Sequence, residues 1–184
     1  MFSICTRPFS CGSLHIDFVA EIYPDVSIKG GERSRCANTR RLRWTISSGS
    51  QKCPAQRKSL AVGANKTDLV SFLVAEWSMK VNIYAPRLHS HYLIVTCKEA
   101  CTMLFSPNGT FIKQVNMPEL CSSHEEADTC LLLHAAHASH GGFNTVVIRS
   151  PDTNVAILAL FFSCEINSQL FFRTGTKNHA ASSI

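Results

Sequence analysis

Acidic side chains whose types and spacing suit metal-ion chemistry occur at three places in the sequence. Glu126 and Asp128, with Glu125 before them, open a predicted helix, and Asp152 follows a predicted strand. Glu21 comes directly after another predicted strand. Carboxylate oxygens are the ligands that Mg²⁺ and Mn²⁺ prefer, and a divalent cation relieves the repulsion among acids that meet. These residues therefore indicate a metal site if the fold brings them together.

Such a site has a definite chemistry. Two divalent ions about 3.5 to 4 Å apart activate a water molecule and stabilise the attacking and leaving oxygens of a phosphodiester. The carboxylates then act as metal ligands, and no protein nucleophile is needed. The residues that we predict to be both catalytic and metal-binding are Glu21, Glu126, Asp128 and Asp152.

The same acids have a simpler interpretation as helix caps. Ser123 and Glu126 have the spacing of a capping box, and acids in a first helical turn interact favourably with the helix dipole. Asp152, within Ser-Pro-Asp, is also typical of a turn. Glu125 and Asp128 share a helix face, whereas Glu126 and Asp128 do not, so spacing alone leaves the ligand pair open.

An α/β fold would place these acids at one edge of a sheet. The predicted strands cover residues 15–20, 92–96, 101–105, 110–115 and 145–149. The predicted helices cover residues 65–77, with Asn65 as the cap, and 122–140, and residues 155–162 form a further apolar element. The order strand, helix, strand predicts parallel pairing. Open α/β sheets bind ligands at the carboxyl ends of such strands.

Basic residues are concentrated in one segment, although the whole chain has a formal net charge of only +5. Between Lys29 and Lys66 there are ten basic residues and one acidic residue, Glu32. We expect residues 24–63 to form a mobile basic arm, because Gly, Ser and Pro interrupt every periodic pattern there. Such an arm can neutralise backbone phosphates, although a solvated loop is an equally good interpretation. The predicted phosphate contacts are Lys29, Arg33 and Arg35.

Length and composition favour one domain over residues 1–184, because the chain has 184 residues and is 45% hydrophobic. The longest apolar run, Val155 to Phe162, is far shorter than the roughly 20 residues that span a bilayer as a helix. We expect no membrane partner. The start of the chain lacks the pattern of a secretory signal, and none of the nine cysteines forms a CxxC pair. These features favour an intracellular protein with reduced thiols, in the nucleus or the cytoplasm.

A second metal-binding hypothesis rests on the helix at residues 122–140. Cys130, His134, His137 and His140 are three or four residues apart, so they could present nitrogen and sulfur ligands to zinc on one helix face. Structural zinc usually takes four ligands with paired spacing, and no second cluster accompanies this one. A histidine-bearing face that packs or meets solvent explains the same pattern.

Two motifs resemble the acidic block of the PIN-like and flap-endonuclease-type nucleases. Glu126-Ala127-Asp128 is similar to the acid-Ala-acid triplet at a helix start in the flap-endonuclease and Asteroid-type relatives. Asp152-Thr153-Asn154 is similar to their Asp-x-Asp pair, with Asn154 at the second acid. Residues 15–35 also resemble the first strand and basic loop of uncharacterised animal PIN-like proteins, with Glu21 where an Asp usually closes the strand.

The resemblance implies an α/β, PIN-like three-layer fold with a mostly parallel central sheet flanked by helices. It implies a nuclease that uses Mg²⁺ or Mn²⁺, in a site for two ions, to hydrolyse DNA or RNA, with Asn154 as a weakened fifth ligand. Asn154 and Glu21 also favour an alternative, a catalytically inactive PIN-like module that binds nucleic acid or protein. A further expectation is that the domain is truncated at its C-terminus, which leaves open a fragment that does not fold stably by itself.

Overall fold

A computed structural model describes residues 2–8, 14–21, 43–52, 59–60, 62–122, 127–174 and 182–183. The strands are β1 (Phe2–Pro8), β2 (Leu14–Val19), β3 (His91–Cys97), β4 (Ala100–Phe105), β5 (Lys113–Asn116), β6 (Phe143–Arg149), β7 (Gln169–Arg173) and β8 (Ser182–Ser183). The α-helices are α1 (Gly63–Met79), α2 (Val81–Leu88), α3 (Ala127–His140) and α4 (Thr153–Phe161). Short 3₁₀ helices cover Pro118–Leu120 and Ser163–Glu165.

The strands form a single mixed sheet in the order β5-β4-β3-β2-β1-β6-β7-β8. Five neighbouring pairs are antiparallel and two, β2 with β3 and β6 with β7, are parallel. The expectation of a mostly parallel sheet is therefore wrong. The physical reason is that short connections, such as the two residues between β3 and β4, can join only antiparallel neighbours.

Five strands nevertheless point in one direction, one of them being β5, which is antiparallel to β4 just as β4 is antiparallel to β3. β2 and β6 both pair antiparallel to β1, so they are parallel to each other, and β3 and β7 are parallel to them. The carboxyl ends of β2, β3, β6 and β7 therefore lie at the same edge of the sheet. We call this edge the carboxyl edge.

The helices pack on both faces of the sheet. Asp17 in β2 contacts His134 in α3, whereas Phe18, the next residue, lines a cavity together with Val70 of α1. Successive side chains of a strand point to opposite faces, so α3 and α1 cover opposite faces. The larger core cluster joins α3, α4, β6 and β7, with Leu131 and Ile148 fully buried in it.

The local predictions for these elements are confirmed for most of the chain. The strands predicted at residues 15–20, 92–96, 101–105 and 145–149 correspond to β2, β3, β4 and β6, and the predicted hairpin pairs β4 with β5. The apolar element at residues 155–162 is helix α4, and α3 ends before Gly142, whose φ of 85° suits a glycine. Across the described residues, no helix has the length and apolar character needed to cross a membrane.

Asn65 is not the cap of α1, because Val62 occupies that position without a side-chain hydrogen bond. Instead, Asn65 is buried, and its side chain links the segment 43–52 to the helix through hydrogen bonds. Its Oδ1 accepts hydrogen bonds from Arg43 Nη1 at 2.8 Å and from the Trp44 amide at 3.1 Å, and its Nδ2 donates to Ser59 O at 2.9 Å. This segment lies within the expected arm of residues 24–63, of which residues 24–42, 53–58 and 61 lie outside the described residues.

Candidate functional site at the carboxyl edge

The carboxyl edge brings together residues from separate parts of the sequence. Glu21 follows β2, Lys98 follows β3 and Asp152 follows β6. The first turns of α1 also reach this edge, where Lys66 Nζ lies 4.0 Å from Glu21 Oε2. Because Lys98, Lys66 and Glu21 line one cavity, they share a local environment. Neither lysine was among the predicted phosphate contacts.

Three helices begin at this edge. Ala127, the first residue of α3, lines a crevice together with Ala20 and Lys98, so the first turn of α3, which includes Asp128, begins at this edge. α4 begins at Thr153, directly after β6, and α1 begins beside Glu21. A helix N-terminus carries partial positive charge and unpaired amide groups, so anions are favoured near it. The carboxyl edge is therefore suited to anionic ligands despite its own carboxylates.

Asp152 is the N-cap of α4. Its Oδ1 accepts a hydrogen bond from the Asn154 amide at 2.9 Å, and its own amide donates to Ser150 Oγ at 2.9 Å. Asp152, for which the sequence suggested a turn, is therefore a helix cap in the structure. The Asn154 side chain is exposed. A carboxylate with one oxygen in a cap is a constrained metal ligand.

Strand β1 separates Glu21 from Asp152. Phe2 pairs with Val19 and Ser3 pairs with Arg149, so the ends of β2 and β6 are level with each other. Neighbouring strands lie about 4.8 Å apart, which puts the two backbones roughly 10 Å apart across β1. Carboxylates from these positions could only contact opposite sides of a metal centre.

The described residues do not by themselves form a metal site. Among the residues that the structure describes, no group of three or more histidine, cysteine or acidic side chains is arranged to hold an ion. Glu126, which the sequence predicts to be a ligand, lies outside them, as do Lys29, Arg33 and Arg35. The shared edge of Glu21, Asp128 and Asp152 agrees with the predicted convergence, but a close metal-binding cluster is not present in this part of the chain.

A buried cluster that sequence reasoning missed lies under α3. Asp17 is fully buried, with its Oδ1 2.5 Å from His15 Nε2 and its Oδ2 2.9 Å from His134 Nδ1. Burial by itself raises the pKa of Asp17, but His134 and His15 outweigh that effect, so the pKa lies below its ordinary value. Asp17 is therefore an anion that only accepts hydrogen bonds, which makes Nδ1 of His134 the donor.

The surroundings of α3 disfavour the hypothesis that its cysteine and histidines bind zinc. His134 is fully buried with Nδ1 committed to Asp17, whereas His140 is exposed at the end of the helix. Burial raises the pKa of the Cys130 thiol to about 11, so the thiolate that zinc requires is disfavoured. The alternative interpretation, a histidine-bearing face that packs, describes His134.

Comparison with known proteins does not identify a family. No protein-family model matches the chain, and no curated protein or solved structure matches it significantly. The fold defines the chain as a mixed α/β domain, with helices on a sheet that contains both parallel and antiparallel strands. The likeness to PIN-like nucleases therefore rests on sequence motifs alone, those around Asp128 and Asp152 and the segment 15–35.

Proposed function

We propose that the chain is a PIN-like module that binds nucleic acid at its carboxyl edge without cleaving it. The observation that carries this proposal is the meeting of Lys66 and Lys98 with the N-termini of α1 and α3 at that edge. Backbone phosphates are favoured by both features, since ammonium groups and helix N-termini attract anions. The helices on both faces of the sheet support a PIN-like three-layer arrangement.

Absence of cleavage in this proposal follows from the state of the acids. Asp152 caps α4, Asn154 replaces a carboxylate with a neutral amide, and β1 holds Glu21 away from Asp152. A two-ion centre needs several carboxylates around ions about 4 Å apart, and one neutral ligand lowers the affinity for cations. The basic residues Lys29, Arg33 and Arg35 remain predicted contributors to phosphate binding.

A second candidate function is metal-dependent hydrolysis of nucleic acid. It is favoured by one specific observation, the placement of Glu21, Asp128 and Asp152 at the same edge. In this candidate Glu126 completes the ligand set, and Mg²⁺ or Mn²⁺ supplies the activated water. Neither candidate function predicts the cellular compartment or a choice between DNA and RNA.

Binding is tested by fluorescence anisotropy with short single-stranded RNA and DNA oligonucleotides over a series of salt concentrations. We expect salt-sensitive binding, with the slope against salt reduced by about one for each phosphate-contacting lysine removed. The variants are Lys66→Gln and Lys98→Asn. Lys113→Gln is the matched control, because exposed Lys113 pairs with Phe105 at the opposite end of the β3–β4 pair.

Hydrolysis is tested with the same oligonucleotides plus Mn²⁺, with and without EDTA. The informative variant is Asp152→Ser, since serine keeps a capping oxygen but removes the carboxylate. Turnover that needs Mn²⁺ and disappears in Asp152→Ser establishes the second candidate, and Asn154→Asp should then increase it. Salt-sensitive binding without turnover establishes the first candidate. A protein that melts cooperatively and shows neither behaviour contradicts both.

A further inference from the structure

A cavity of about 200 Å³ opens at the carboxyl edge between the ends of β2 and β3 and the first turns of α1. Its walls are mostly apolar and include Phe18, Leu69 and Val70. A cavity of roughly 150 Å³ with apolar walls can hold one benzene ring. This cavity therefore has room for one aromatic ring system and is smaller than typical pockets for drug-sized ligands.

Charged side chains line the same cavity. Lys66 and Lys98 contribute two ammonium groups. Glu21 contributes one carboxylate, whose Oε2 lies 4.0 Å from Lys66 Nζ. Lys98 adopts φ 58°, a left-handed conformation that strains a residue with a Cβ atom. The hairpin between β3 and β4 would be relaxed by glycine or asparagine there. Lysine at this position instead supplies a cation beside the cavity.

We propose that this cavity binds the terminal nucleotide of a nucleic-acid strand, with the base between the apolar walls and a terminal phosphate at Lys66 and Lys98. This inference rests on the proposed function, because it assigns one part of the bound strand to one part of the same edge. A terminal phosphomonoester carries nearly two negative charges near neutral pH, which matches two ammonium groups better than the single charge of an internal phosphodiester.

Glu21 distinguishes a nucleotide from a simple apolar anion. A carboxylate beside the lysines accepts hydrogen bonds from sugar hydroxyl groups, as acidic residues do in dinucleotide sites. A fatty-acid-like ligand has no hydroxyl group to donate to Glu21. The arrangement of two cations, one acid and an apolar wall is therefore complementary to phosphate, sugar and base together.

The test compares oligonucleotides of one sequence that carry a 5′-phosphate, a 3′-phosphate or neither. We expect a phosphate at one end to strengthen binding about tenfold, the size of one charge-assisted hydrogen bond. Val70→Phe, which fills the cavity, and Lys98→Asn, which removes a cation and fits the left-handed backbone, should each abolish that gain. Val74→Phe is the control, because Val74 lies one turn further along α1 and does not line the cavity.

Thermal shifts with adenosine 5′-monophosphate, adenosine, inorganic phosphate and octanoate keep this test independent of oligonucleotide binding. The monophosphate should raise the melting temperature of the wild type and of Val74→Phe, but not of Val70→Phe. Oligonucleotide binding that ignores terminal phosphates and Val70→Phe overturns the inference while the proposed function stands. Stabilisation by octanoate alone overturns it in favour of an apolar anion. Stabilisation by the monophosphate without oligonucleotide binding supports the cavity and contradicts the proposed function.

Discussion

Asp17 Oδ2 lies 2.9 Å from His134 Nδ1, and neither side chain is exposed to solvent. This pair joins the second strand of the sheet to the middle of α3 across 117 positions of sequence. A buried ion is tolerated only when partners compensate for its lost hydration, and Asp17 has His15 as a second partner. The pair is therefore a fixed point of the interface between α3 and the sheet.

Replacement of Asp17 by asparagine should destabilise the fold strongly. The amide keeps the size of the side chain but removes the charge that holds His15 and His134. Loss of one partner of a buried pair typically costs about 3–5 kcal/mol of unfolding free energy. The control is Asp68→Asn, since Asp68 pairs with Arg43 at 2.7 Å on the surface and should contribute about 0–1 kcal/mol. Urea denaturation measures the unfolding free energy of both variants. Equal losses of unfolding free energy would contradict the conclusion that the buried Asp17 pair stabilises the fold more than the surface pair.

Acid should weaken the fold through Asp17. Its pKa in the folded protein lies below the ordinary value of 3.8, so the unfolded chain binds the proton first as the pH falls. The stability that Asp17 contributes is present above about pH 3.8 and is lost as the pH falls through the folded-state pKa. Unfolding free energies measured from pH 5 downward should fall more steeply for the wild type than for Asp17→Asn. Parallel curves would show that other carboxylates cause the loss.

His137 should produce a separate loss at higher pH. Burial lowers the pKa of His137 below its ordinary value of 6.5, and the charge of Asp17 opposes this only in part. The folded state therefore favours neutral His137, and stability falls as the pH drops below about 6.5 and the unfolded chain takes up a proton. Denaturation midpoints compared at pH 7.5 and pH 5.5 should differ less in His137→Gln than in the wild type. His140→Gln is the exposed control on the same helix.

The cap of α4 should distinguish serine from alanine at position 152. Asp152→Ala removes the oxygen that accepts from the Asn154 amide, which typically costs about 0.5–2 kcal/mol. Asp152→Ser should retain most of that stability, because serine is also a preferred N-cap. Thermal denaturation of both variants gives the comparison. Equal stability of the two would mean that the cap observed at Asp152 contributes nothing.

Two leucine-to-alanine changes should have very different effects on stability. Leu131 in α3 is fully buried, whereas Leu160 in α4 is 62% exposed, beside exposed Ile157 and Phe161. Leu131→Ala should cost about 2–5 kcal/mol because it leaves a cavity. Leu160→Ala should stay within about 0.5 kcal/mol. A large loss at Leu160, measured by urea denaturation, would indicate that another surface covers α4 in solution.

Local sequence patterns identified most of the described helices and strands, but they did not identify β1, α2 or β7, nor which strands are neighbours in the sheet. The β-favouring runs identified β2, β3 and β6, and helical spacing identified α1 and α3, because those signals reside within a few residues. β1 lies between β2 and β6 because it pairs with residues that are far from it in the sequence, and no local pattern indicates such pairing. The edge shared by Glu21 and Asp152 followed from connection rules, whereas their separation by β1 did not.

The buried cluster shows why a polar residue in a strand is hard to interpret. His15 and Asp17 alternate with Ile16 and Phe18, and such alternation usually places the polar residues in solvent. Here the polar face is the buried one, and only the contact with His134 reveals it. The available signal was a histidine on the apolar face of α3, which could have suggested an acidic partner in the sheet. The sequence alone could not select Asp17.

The position of β1 also bears on how the chain acquires its structure. Ser3 pairs with Arg149, so β1 can complete its pairing only after a partner 146 positions later in the chain has been synthesised. Contacts of such long range slow folding, because the entropy of closing a large loop is lost before they form. A nascent chain can pair β1 with β2 early, but the other side of β1 then exposes unpaired amide and carbonyl groups. Incomplete chains can therefore associate with one another through the unpaired edge of β1. Pairing of β6 with β1 removes this edge.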